Sequence, residues 1–491
     1  MTVTGRRPEN EMLGHHSRKG AAPQCGAMAE YDAVVVGAGP NGLAAAAEMT
    51  HAGRRVLVVE QADVIGGGTR TEELTLPGYL HDICSAIHPL GIASPFFQEV
   101  GLDVEWIQPD IPLSHPLGGG HAGALFRDLE ETAARFGGDE GRYLRIMRPL
   151  VESADQVIED FLGPLSPIPK NPSSFIRLAT RGALPASIIA SGFSSPEARG
   201  VFAGLATHAI APLNSPLTGG VALLFGVTGH AYGWPLVGGG SQRIADALAK
   251  IVTDGGGTIE TGRSIATLDQ LPGGQVIILD VMPRAAIRIG GARVDMQHRR
   301  RFAAWKTGPG VFKMDWALDG PIPWLDDWSP RAGTVHVGGT WEEVAAAEDL
   351  VHGGSHPETP FVLVAQQSLF DPSRAPHGKQ TAWGYCHVPN GSDLDMTAAI
   401  EAQIEQFAPG FRDLILERHS MNAAQFEDHN PNYIGGDIAG GGFGPRKVFQ
   451  LGSTGPYRIG EGLYLCSSAT PPGAGVHGMC GFYAARAALA G

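Results

Sequence analysis

Residues 31–42 read YDAVVVGAGPNG, and this stretch decides the fold. The apolar run at 33–36 shows no polar alternation, which predicts a strand buried on both faces. An alanine-rich run at 43–51 predicts a helix, and residues 55–60 (RVLVVE) predict a second buried strand. Strand, glycine-rich turn, helix and strand in this order predict a βαβ unit, so the first domain is expected to be of the α/β class.

The turn of this unit has the spacing of a dinucleotide-binding motif. Gly37 permits a tight turn after the strand, Gly39 lets the backbone approach a pyrophosphate, and Gly42 lets the helix pack closely on the strand. Amides at the helix N-terminus would face the phosphate oxygens. Glu60 ends the second strand, where a carboxylate accepts hydrogen bonds from an adenosine ribose. The alternative is a glycine-rich turn of some other α/β protein.

Two further glycine-rich segments favour FAD over NAD. Residues 66–71 (GGGTRT) follow the second strand and allow another close backbone approach, and Arg70 is placed to neutralise a pyrophosphate. Residues 468–478 (SATPPGAGVHG) lead into an alanine-rich helix. The N-terminal amides of that helix would stabilise negative charge on a reduced flavin. Together with the first motif, these segments predict FAD as the cofactor.

The composition is that of an acidic, glycine-rich globular chain. Its 491 residues include 69 glycines, 36 basic and 50 acidic residues, for a net charge of −14. An acidic chain repels phosphate backbones, so nucleic acid is not expected as a partner. No stretch approaches the roughly 18 consecutive apolar residues of a membrane span. A transmembrane segment is therefore not expected.

The cysteines suggest neither a disulfide framework nor a metal site. They are few for the length of the chain, and no CxxC pair is present, which argues against a zinc ribbon. This usage fits a reducing compartment, and we expect a cytoplasmic protein without a bound metal. The cysteines are Cys25, Cys84, Cys386, Cys466 and Cys480.

Changes of pattern along the chain predict two domains built from alternating segments. Residues 1–30 are expected to be a disordered extension. The FAD-binding domain is expected to comprise residues 31–115, 237–285 and 445–491, and the substrate-binding domain residues 116–236 and 286–444. Within them, residues 140–162 have helical periodicity, and residues 264–268 are predicted to form a strand of the first sheet.

The glycine motif, the run GGGTRTEE at 66–73 and the run PPGAGVHGMCG at 471–481 carry a family resemblance. The chain resembles the phytoene desaturase-like branch of the FAD-dependent oxidoreductases, within the amine oxidase and GDP-dissociation-inhibitor-like superfamily. Four further blocks are similar to a subgroup that includes pyridine nucleotide-disulfide oxidoreductase domain-containing protein 2. They are HDICSAIHPL at 81–90, GWPLVGGGSQRIADAL at 233–248, FVLVAQQSLFDPSRAP at 361–376 and HNPNYIGGDIAGG at 429–441.

The resemblance implies a Rossmann-like FAD-binding domain and a mixed α+β substrate domain with a helical insert. FAD would lie extended, with its isoalloxazine at the domain interface. The chain has one intact dinucleotide motif and lacks a CxxxxC redox pair, so disulfide reductase chemistry is not implied. The positions that match the family's cofactor contacts are Gly37, Gly39, Pro40, Asn41, Gly42, Glu60, Gly67, Gly68, Arg70, Thr71, Ile265, Thr470, Gly473, Gly475, Val476 and Gly478.

Candidate catalytic groups follow from the need for a dry pocket and, in some reactions, a base. His477 lies inside the third glycine-rich segment, where it is placed to tune the flavin or to contact substrate. Tyr385 and His387 alternate on one predicted strand, so their side chains face the same way. The alternative for all three is a hydrogen-bonded core position. Other candidates for the pocket or for acid–base work are Phe225, Trp234, Trp383, His208, His230 and His429.

These features favour an FAD-dependent dehydrogenase or desaturase. It would oxidise a hydrophobic small molecule by hydride transfer to flavin N5 and pass electrons to oxygen, a quinone or another acceptor. The second possibility is a flavin amine oxidase or another flavin oxidase. The third is a non-catalytic binding protein on the same fold. A homodimer and peripheral membrane contact, for which the proline-rich segment 161–193 is a candidate, are left open.

Overall fold

The computed structural model describes residues 30–164, 170–445, 447 and 455–491. The extension predicted for residues 1–30 lies outside this part of the chain, apart from Glu30. The strands, numbered along the chain, are β1 (Tyr31–Val36), β2 (Val56–Val59), β3 (Thr71–Glu73), β4 (Leu80–Asp82), β5 (Trp106–Ile107), β6 (Ile111–Gly118), β7 (His121–Leu125), β8 (Leu236–Val237), β9 (Thr258–Glu260), β10 (Gly274–Leu279), β11 (Gly310–Leu318), β12 (Ala332–Val337), β13 (Val362–Ala365), β14 (Gln380–Val388), β15 (Ile415–Met421), β16 (Arg458–Gly460) and β17 (Leu463–Leu465).

Helices precede, separate and cover these strands. Numbered in the same way, they are α1 (Pro40–His51), α2 (Pro89–Ile92), α3 (Pro95–Glu99), α4 (Leu129–Arg135), α5 (Glu140–Val151), α6 (Ala154–Phe161), α7 (Pro172–Gly182), α8 (Ala186–Ala190), α9 (Pro196–Thr207), α10 (Thr218–Ala231), α11 (Gln242–Asp254), α12 (Pro283–Gly290), α13 (Met296–Ala303), α14 (Trp341–His352), α15 (Thr397–Phe407), α16 (Ala423–His429) and α17 (Met479–Ala490). None of the described helices is long and apolar enough to cross a bilayer.

The first sheet has the order β16-β17-β10-β1-β2-β9. Its pairs are parallel except for β16, which runs antiparallel to β17 at the edge. The side chains at 33–35 are fully buried, as the unbroken apolar run predicts. Since β1 and β2 are parallel neighbours joined through α1, the predicted βαβ unit is confirmed.

The start of α1 is fixed against the end of β1. Gly39 is the N-cap and Pro40 takes the first helical position, where its missing N–H costs nothing. A Cβ at Gly42 would lie 2.0 Å from the carbonyl oxygen of Gly37, so helix and strand meet backbone to backbone. This close approach directs the N-terminus of α1 at the carboxyl edge of the sheet.

The second sheet has the order β15-β11-β14-β13-β12-β6-β7 and is mixed, because β6 and β12 are parallel and the other pairs antiparallel. One face packs against α15, where Met314 and Trp316 join Ile400 and Ile404 in a buried cluster. Residues that alternate with these point to the opposite face. Lys313 and Tyr385, which are paired in register, face a cavity there.

A helical layer covers part of the second sheet, as the sequence predicts for the middle of the chain. Helix α9 packs on β6 and β7, and α10 packs on α9 and α7. The hydroxyl of Ser195 accepts a hydrogen bond from the Ala198 amide and caps α9. The predicted α/β fold, with a Rossmann-like domain and a second mixed domain, is confirmed.

Three local predictions need correction or refinement. Residues 264–268 are not a strand, because the Gln270 side chain accepts hydrogen bonds from the Ala266 and Thr267 amides and holds this segment in a capped turn. The predicted helix at 140–162 is interrupted at residues 152 and 153, between α5 and α6. The domain boundary expected after residue 115 falls inside β6, a strand of the second sheet.

Candidate functional site

A cavity of about 490 Å³ is lined by both sheets and by the helical layer. One part lies at the carboxyl ends of β1, β2 and β10, the edge where open parallel sheets bind ligands. We call it the glycine-rich end and define it by Gly37, Gly39, Glu60, Ile265 and Asp280. The part against the second sheet is the aromatic end, defined by His208, Phe225, Trp234, Trp383 and Tyr385.

Glu60 is fixed at the glycine-rich end by the backbone around it. Its Oε2 accepts a hydrogen bond from the Ala38 amide at 2.7 Å, and its Oε1 accepts one from the Ala62 amide at 2.9 Å. These bonds orient the carboxylate beside the first glycine turn. Each oxygen keeps a further lone pair that can accept from a ribose hydroxyl.

The second glycine-rich segment lies directly against the first. A Cβ at Gly68 would lie 2.0 Å from the hydroxyl of Tyr433, so only a glycine fits below that ring. Arg70 is buried and lines the cavity, and its Nε donates to the Gly67 carbonyl at 3.1 Å. The guanidinium is thereby held with its charge next to both glycine-rich turns.

The third glycine-rich segment contributes backbone rather than side chains. Residues 474–476 line the cavity. His477 follows them but is fully buried, and its Nδ1 accepts a hydrogen bond from the Met479 amide. Its carbonyl accepts one from the Ser94 hydroxyl at 2.7 Å. His477 is not among the residues that line the cavity.

The sixteen predicted cofactor positions fall into two groups. Eleven line the cavity: Gly37, Gly39, Pro40, Asn41, Glu60, Gly67, Gly68, Arg70, Ile265, Gly475 and Val476. Five do not line it: Gly42, Thr71, Thr470, Gly473 and Gly478. Members of the second group have structural bonds, since the Thr71 hydroxyl donates to Asp82 and the Thr470 hydroxyl donates to the Ser467 carbonyl. These two bonds help to hold the turns in place.

Of the three predicted catalytic residues, Tyr385 and His387 lie side by side, as their alternation on one strand predicts, whereas His477 belongs to a different segment. Tyr385 lines the cavity, and burial raises the pKa of its hydroxyl well above its usual value. His387 lies behind it, with ring centroids 5.7 Å apart, and its Nδ1 is 2.8 Å from a carboxylate oxygen of Glu348. Burial lowers the pKa of His477 to about 4, so that imidazole is neutral. Of the three, Tyr385 alone is among the residues that line the cavity.

Lys313 is a buried cation at the cavity wall that the sequence analysis did not single out. Its ammonium contacts the Asp315 carboxylate, and both side chains are almost fully buried. Asp315 also lies 3.7 Å from His81 and 3.3 Å from His419. Burial alone would raise the pKa of Asp315, but the charge of Lys313 lowers it below the usual value. A K-x-D pattern within an apolar strand was the signal available in the sequence.

Asp280 is the second residue that the sequence analysis missed. It follows β10, and its Oδ2 accepts a hydrogen bond from the Gly42 amide at 2.9 Å. The carboxyl thus caps α1 from another segment, because the N-cap Gly39 has no side chain. Burial raises its pKa to about 7, and the charge of Glu60 acts in the same direction. Its position at the carboxyl end of a parallel strand was the available signal.

The aromatic end is assembled from α9, α10, β14 and the segment before β8. The rings of His208 and Phe225 lie 4.5 Å apart, and those of Phe225 and Trp234 lie 5.7 Å apart. Trp383 and Tyr385 meet edge to face at 5.3 Å. The predicted walls Phe225, Trp234 and Trp383 all line the cavity. His230 is bonded to Tyr143 and does not line it, whereas His429 does.

The glycine-rich end has the donors and acceptors that FAD requires. Its turns offer backbone amides and a cation for a pyrophosphate, and Glu60 can accept from a ribose. The buried Oδ1 of Asn41 has no hydrogen-bond partner within the described residues, so an acceptor remains free beside the turn. A charged Asp280 carboxylate would repel the pyrophosphate. Because burial raises the pKa of Asp280 to about 7, the neutral carboxyl is populated near pH 7. The residues of the glycine-rich end therefore fit FAD.

Comparison with known proteins agrees with the family resemblance seen in the sequence. A family described as the NAD(P)-binding Rossmann-like domain matches residues 35–99. Rat pyridine nucleotide-disulfide oxidoreductase domain-containing protein 2 is 26% identical, with 93% of each chain covered. The neurosporene-forming phytoene desaturase of Rhodobacter capsulatus is 27% identical over 50% of this chain and 51% of its own.

The solved structures show the fold. Putrescine oxidase bound to putrescine superposes with a TM-score of 0.60 at 16% identity, covering 94% of this chain and 98% of that chain. At this identity the likeness concerns the fold and not the substrate. The resemblance predicted from the sequence is confirmed. The chain is thus similar over nearly its whole length to pyridine nucleotide-disulfide oxidoreductase domain-containing protein 2 and over half of it to a phytoene desaturase, and it shares the fold of putrescine oxidase.

Proposed function

We propose that this chain is an FAD-dependent oxidoreductase that dehydrogenates an uncharged, hydrophobic small molecule. The observation that carries the proposal is the single cavity that joins a glycine-rich end to an aromatic end. The first part suits a dinucleotide and the second suits an apolar substrate, so cofactor and substrate would meet inside one water-poor space.

At the glycine-rich end, the chain's own groups would hold the cofactor. Glu60 would accept from the adenosine ribose, and Ile265 would pack beside the adenine. The turns at 37–42 and 66–70 would bind the pyrophosphate through backbone amides, with Arg70 supplying the positive charge. Residues 474–476 would approach the flavin ring through their backbone.

When bound, FAD supplies a hydride acceptor at N5 of its isoalloxazine. The protein's part is to orient the substrate and exclude water. Trp383 and Tyr385 form an apolar wall, and Lys313 lies next to Tyr385 in register. The raised pKa keeps the Tyr385 hydroxyl protonated near neutral pH, so it can donate a hydrogen bond but does not act as a base. The electrons would leave to oxygen, a quinone or another acceptor.

The lining of the cavity favours this function over an amine oxidase. Within the described chain, the carboxylates that line it are Glu60 and Asp280, both at the glycine-rich end. Glu348 lies behind His387 and is committed to it. An ammonium ion at the aromatic end would therefore be buried without a counter-ion, which is costly. The phytoene desaturase relative is named for a substrate without such a charge.

A binding protein without redox chemistry is the remaining alternative. Residues of three glycine-rich segments, together with Glu60 and Arg70, line the same cavity. A protein that binds no dinucleotide has no need for this combination. We therefore place this function after the two enzymatic ones.

An absorption spectrum after incubation with FAD and gel filtration tests the proposal. We expect one bound flavin per chain, and anaerobic addition of uncharged alicyclic or terpenoid compounds should bleach its visible band. Bleaching by primary amines alone would favour the amine oxidase. A folded protein that retains no flavin would overturn both enzymatic functions.

A further inference from the structure

A group of histidines that the proposed function does not use lies at and behind the aromatic end. We call His115, His208, His336 and His387 the histidine cluster. The rings of His208 and His336 lie 5.3 Å apart, and those of His336 and His115 lie 6.5 Å apart. His387 reaches the same region, because the ring of Phe361 lies 5.7 Å from His336 and 6.4 Å from His387.

Several nitrogens of this region are buried without a hydrogen-bond partner in the described part of the chain. They are Nδ1 of His115, Nε2 of His208, Nδ1 and Nε2 of His336, Nε2 of His387 and Nε1 of Trp383. Buried polar atoms in folded proteins are nearly always bonded to protein, water or ligand. Unbonded nitrogens next to a cavity are candidate hydrogen-bond partners for a molecule bound there.

Two of these side chains reach the open space. His208 and Trp383 both line the cavity, whereas His336 and His387 lie behind them. The neighbouring Trp234 differs, because its Nε1 already donates to the Thr334 hydroxyl at 2.9 Å. His208 and Trp383 therefore combine a place in the cavity wall with a nitrogen that has no partner within the described residues. Both nitrogens are closed to water in this conformation, so a molecule in the cavity bonds to them only when the rings turn toward it.

Three histidines of the cluster, His115, His208 and His336, are uncharged at neutral pH. Burial lowers the pKa of His208 to about 3 and that of His115 to about 4, and it lowers the pKa of His336 well below the usual value. A neutral imidazole has one N–H donor and one acceptor nitrogen, and an indole has one donor. These groups can satisfy a hydroxyl or carbonyl oxygen, but they cannot neutralise a carboxylate or an ammonium.

We propose that the aromatic end binds an uncharged oxygen function of the substrate through His208 and Trp383. The substrate class is then an alcohol, ketone, aldehyde or ester with an apolar body, not a pure hydrocarbon. That the bound molecule is the substrate of a redox reaction rests on the proposed function. The preference of the aromatic end for an oxygen function does not depend on that reaction.

Calorimetry with four probes of matched shape tests this proposal on the FAD-loaded protein. The probes are 4-phenylbutan-2-one, n-butylbenzene, 4-phenylbutan-2-amine and 3-phenylpropanoate. We expect the ketone to bind at least about tenfold more tightly than each of the other three, because a site built to bond an oxygen rejects analogues that lack it. Equal affinity for ketone and hydrocarbon, tighter binding of either charged probe, or no binding of any probe would overturn the proposal.

Two variants locate the preference. In His208→Phe the ring stack on Phe225 is kept and the nitrogens are lost, so the ketone advantage should fall to about twofold while hydrocarbon affinity stays within about threefold. Trp383→Phe should reduce the advantage in the same direction, and the exposed-site control His121→Phe should keep it. Retention of the full advantage in both cavity variants would also overturn the proposal.

The same samples separate this inference from the proposed function. If the protein takes up no FAD but still prefers the ketone, the redox function fails and the oxygen site stands. If FAD binds with a structured visible band but the four probes bind alike, the oxygen site fails and the redox function stands. Flavin content and melting temperature of each variant show whether the fold is intact.

Discussion

The two ends of the cavity are built by different means. The glycine-rich end is built around short glycine-rich turns, each contiguous in the sequence, with Glu60, Ile265 and Asp280 beside them. The aromatic end consists of side chains from α9, α10, β14 and the segment before β8, which only the tertiary fold brings together. A backbone site fixes what it binds through turn geometry, while a side-chain site can change its ligand by substitution. The comparison suggests a constant cofactor and an adaptable substrate.

The two ends also differ in charge. Glu60, Arg70 and Asp280 surround the glycine-rich end, whereas the aromatic end carries neutral rings. Lys313 lies at the cavity wall beside Tyr385, and its charge acts on the thiol of Cys84. If this division is real, changes at one end should leave binding at the other nearly unchanged.

Substitution of Gly42 by alanine should have the largest effect on the glycine-rich end. The added methyl group would overlap the Gly37 carbonyl, so α1 must move away from β1. We expect FAD affinity to fall at least about a hundredfold, with a loss of several kcal/mol in the free energy of unfolding, as overpacking in a core predicts. FAD titration and chemical denaturation measure the two effects.

The matched control is Gly141→Ala in α5. No heavy atom lies within 4 Å of a Cβ at this position, and alanine is the better helix former. This variant should be as stable as the parent or more stable, by up to about 1 kcal/mol, and should bind FAD normally. Loss of FAD in the control, or normal binding in Gly42→Ala, would contradict the packing argument.

Lys313→Met tests the buried ion pair of Lys313 and Asp315 at the cavity wall. Removing the ammonium leaves Asp315 buried with the histidines as its remaining partners, so the free energy of unfolding should fall by about 3 kcal/mol. The double variant Lys313→Met with Asp315→Asn should recover most of that loss, since no unpaired charge remains. Thermal unfolding of the single and double variants gives the comparison, and an equal loss in both would argue against a charge effect.

Asp280→Asn should raise both the stability of the protein and its affinity for FAD at alkaline pH. The pKa of Asp280 is raised from 3.8 to about 7 in the folded state. Between these two pH values the Asp280 carboxyl keeps its proton in the folded protein but has lost it in the unfolded chain. The contribution of Asp280 to the free energy of unfolding is therefore full below about pH 4 and is lost as the pH rises to about 7. At roughly 1.4 kcal/mol per pKa unit, the loss amounts to a few kcal/mol at most.

Asparagine still accepts from the Gly42 amide but carries no charge. We expect Asp280→Asn to melt higher than the parent at pH 8 and to match it at pH 4. FAD should also bind more tightly to the variant at pH 8, since a carboxylate no longer faces the pyrophosphate. A parallel dependence of both proteins on pH from 4 to 8 would show that Asp280 does not titrate in this range.

Tyr385→Phe should have the smallest effect. The side chain belongs to the aromatic end, and removal of its hydroxyl leaves the ring contact with Trp383 in place. FAD affinity should change by less than about twofold, because the proposed cofactor contacts lie at the glycine-rich end. A fluorescence titration is sufficient, and a loss of FAD affinity as large as that of Gly42→Ala would show that the ends are not separate.

The sequence was informative where a feature is local. The motif at 37–42 requires its strand and helix within a few residues, and the structure has both. Asp280 was missed because it contacts Gly42 across 238 positions of the chain. His477 was expected near the flavin by its position in the chain, but the direction of its ring depends on Met479 and on packing that sequence spacing does not reveal. Its role, like those of Tyr385 and His387, stays a prediction.

A titration of FAD into the parent protein, Gly42→Ala and His208→Phe tests the division of the cavity most directly. The account predicts one FAD per chain in the parent, with quenched flavin fluorescence, nearly the same affinity in His208→Phe and no measurable binding in Gly42→Ala. It would be contradicted if the folded parent left FAD free in solution, or if His208→Phe lost FAD as completely as Gly42→Ala.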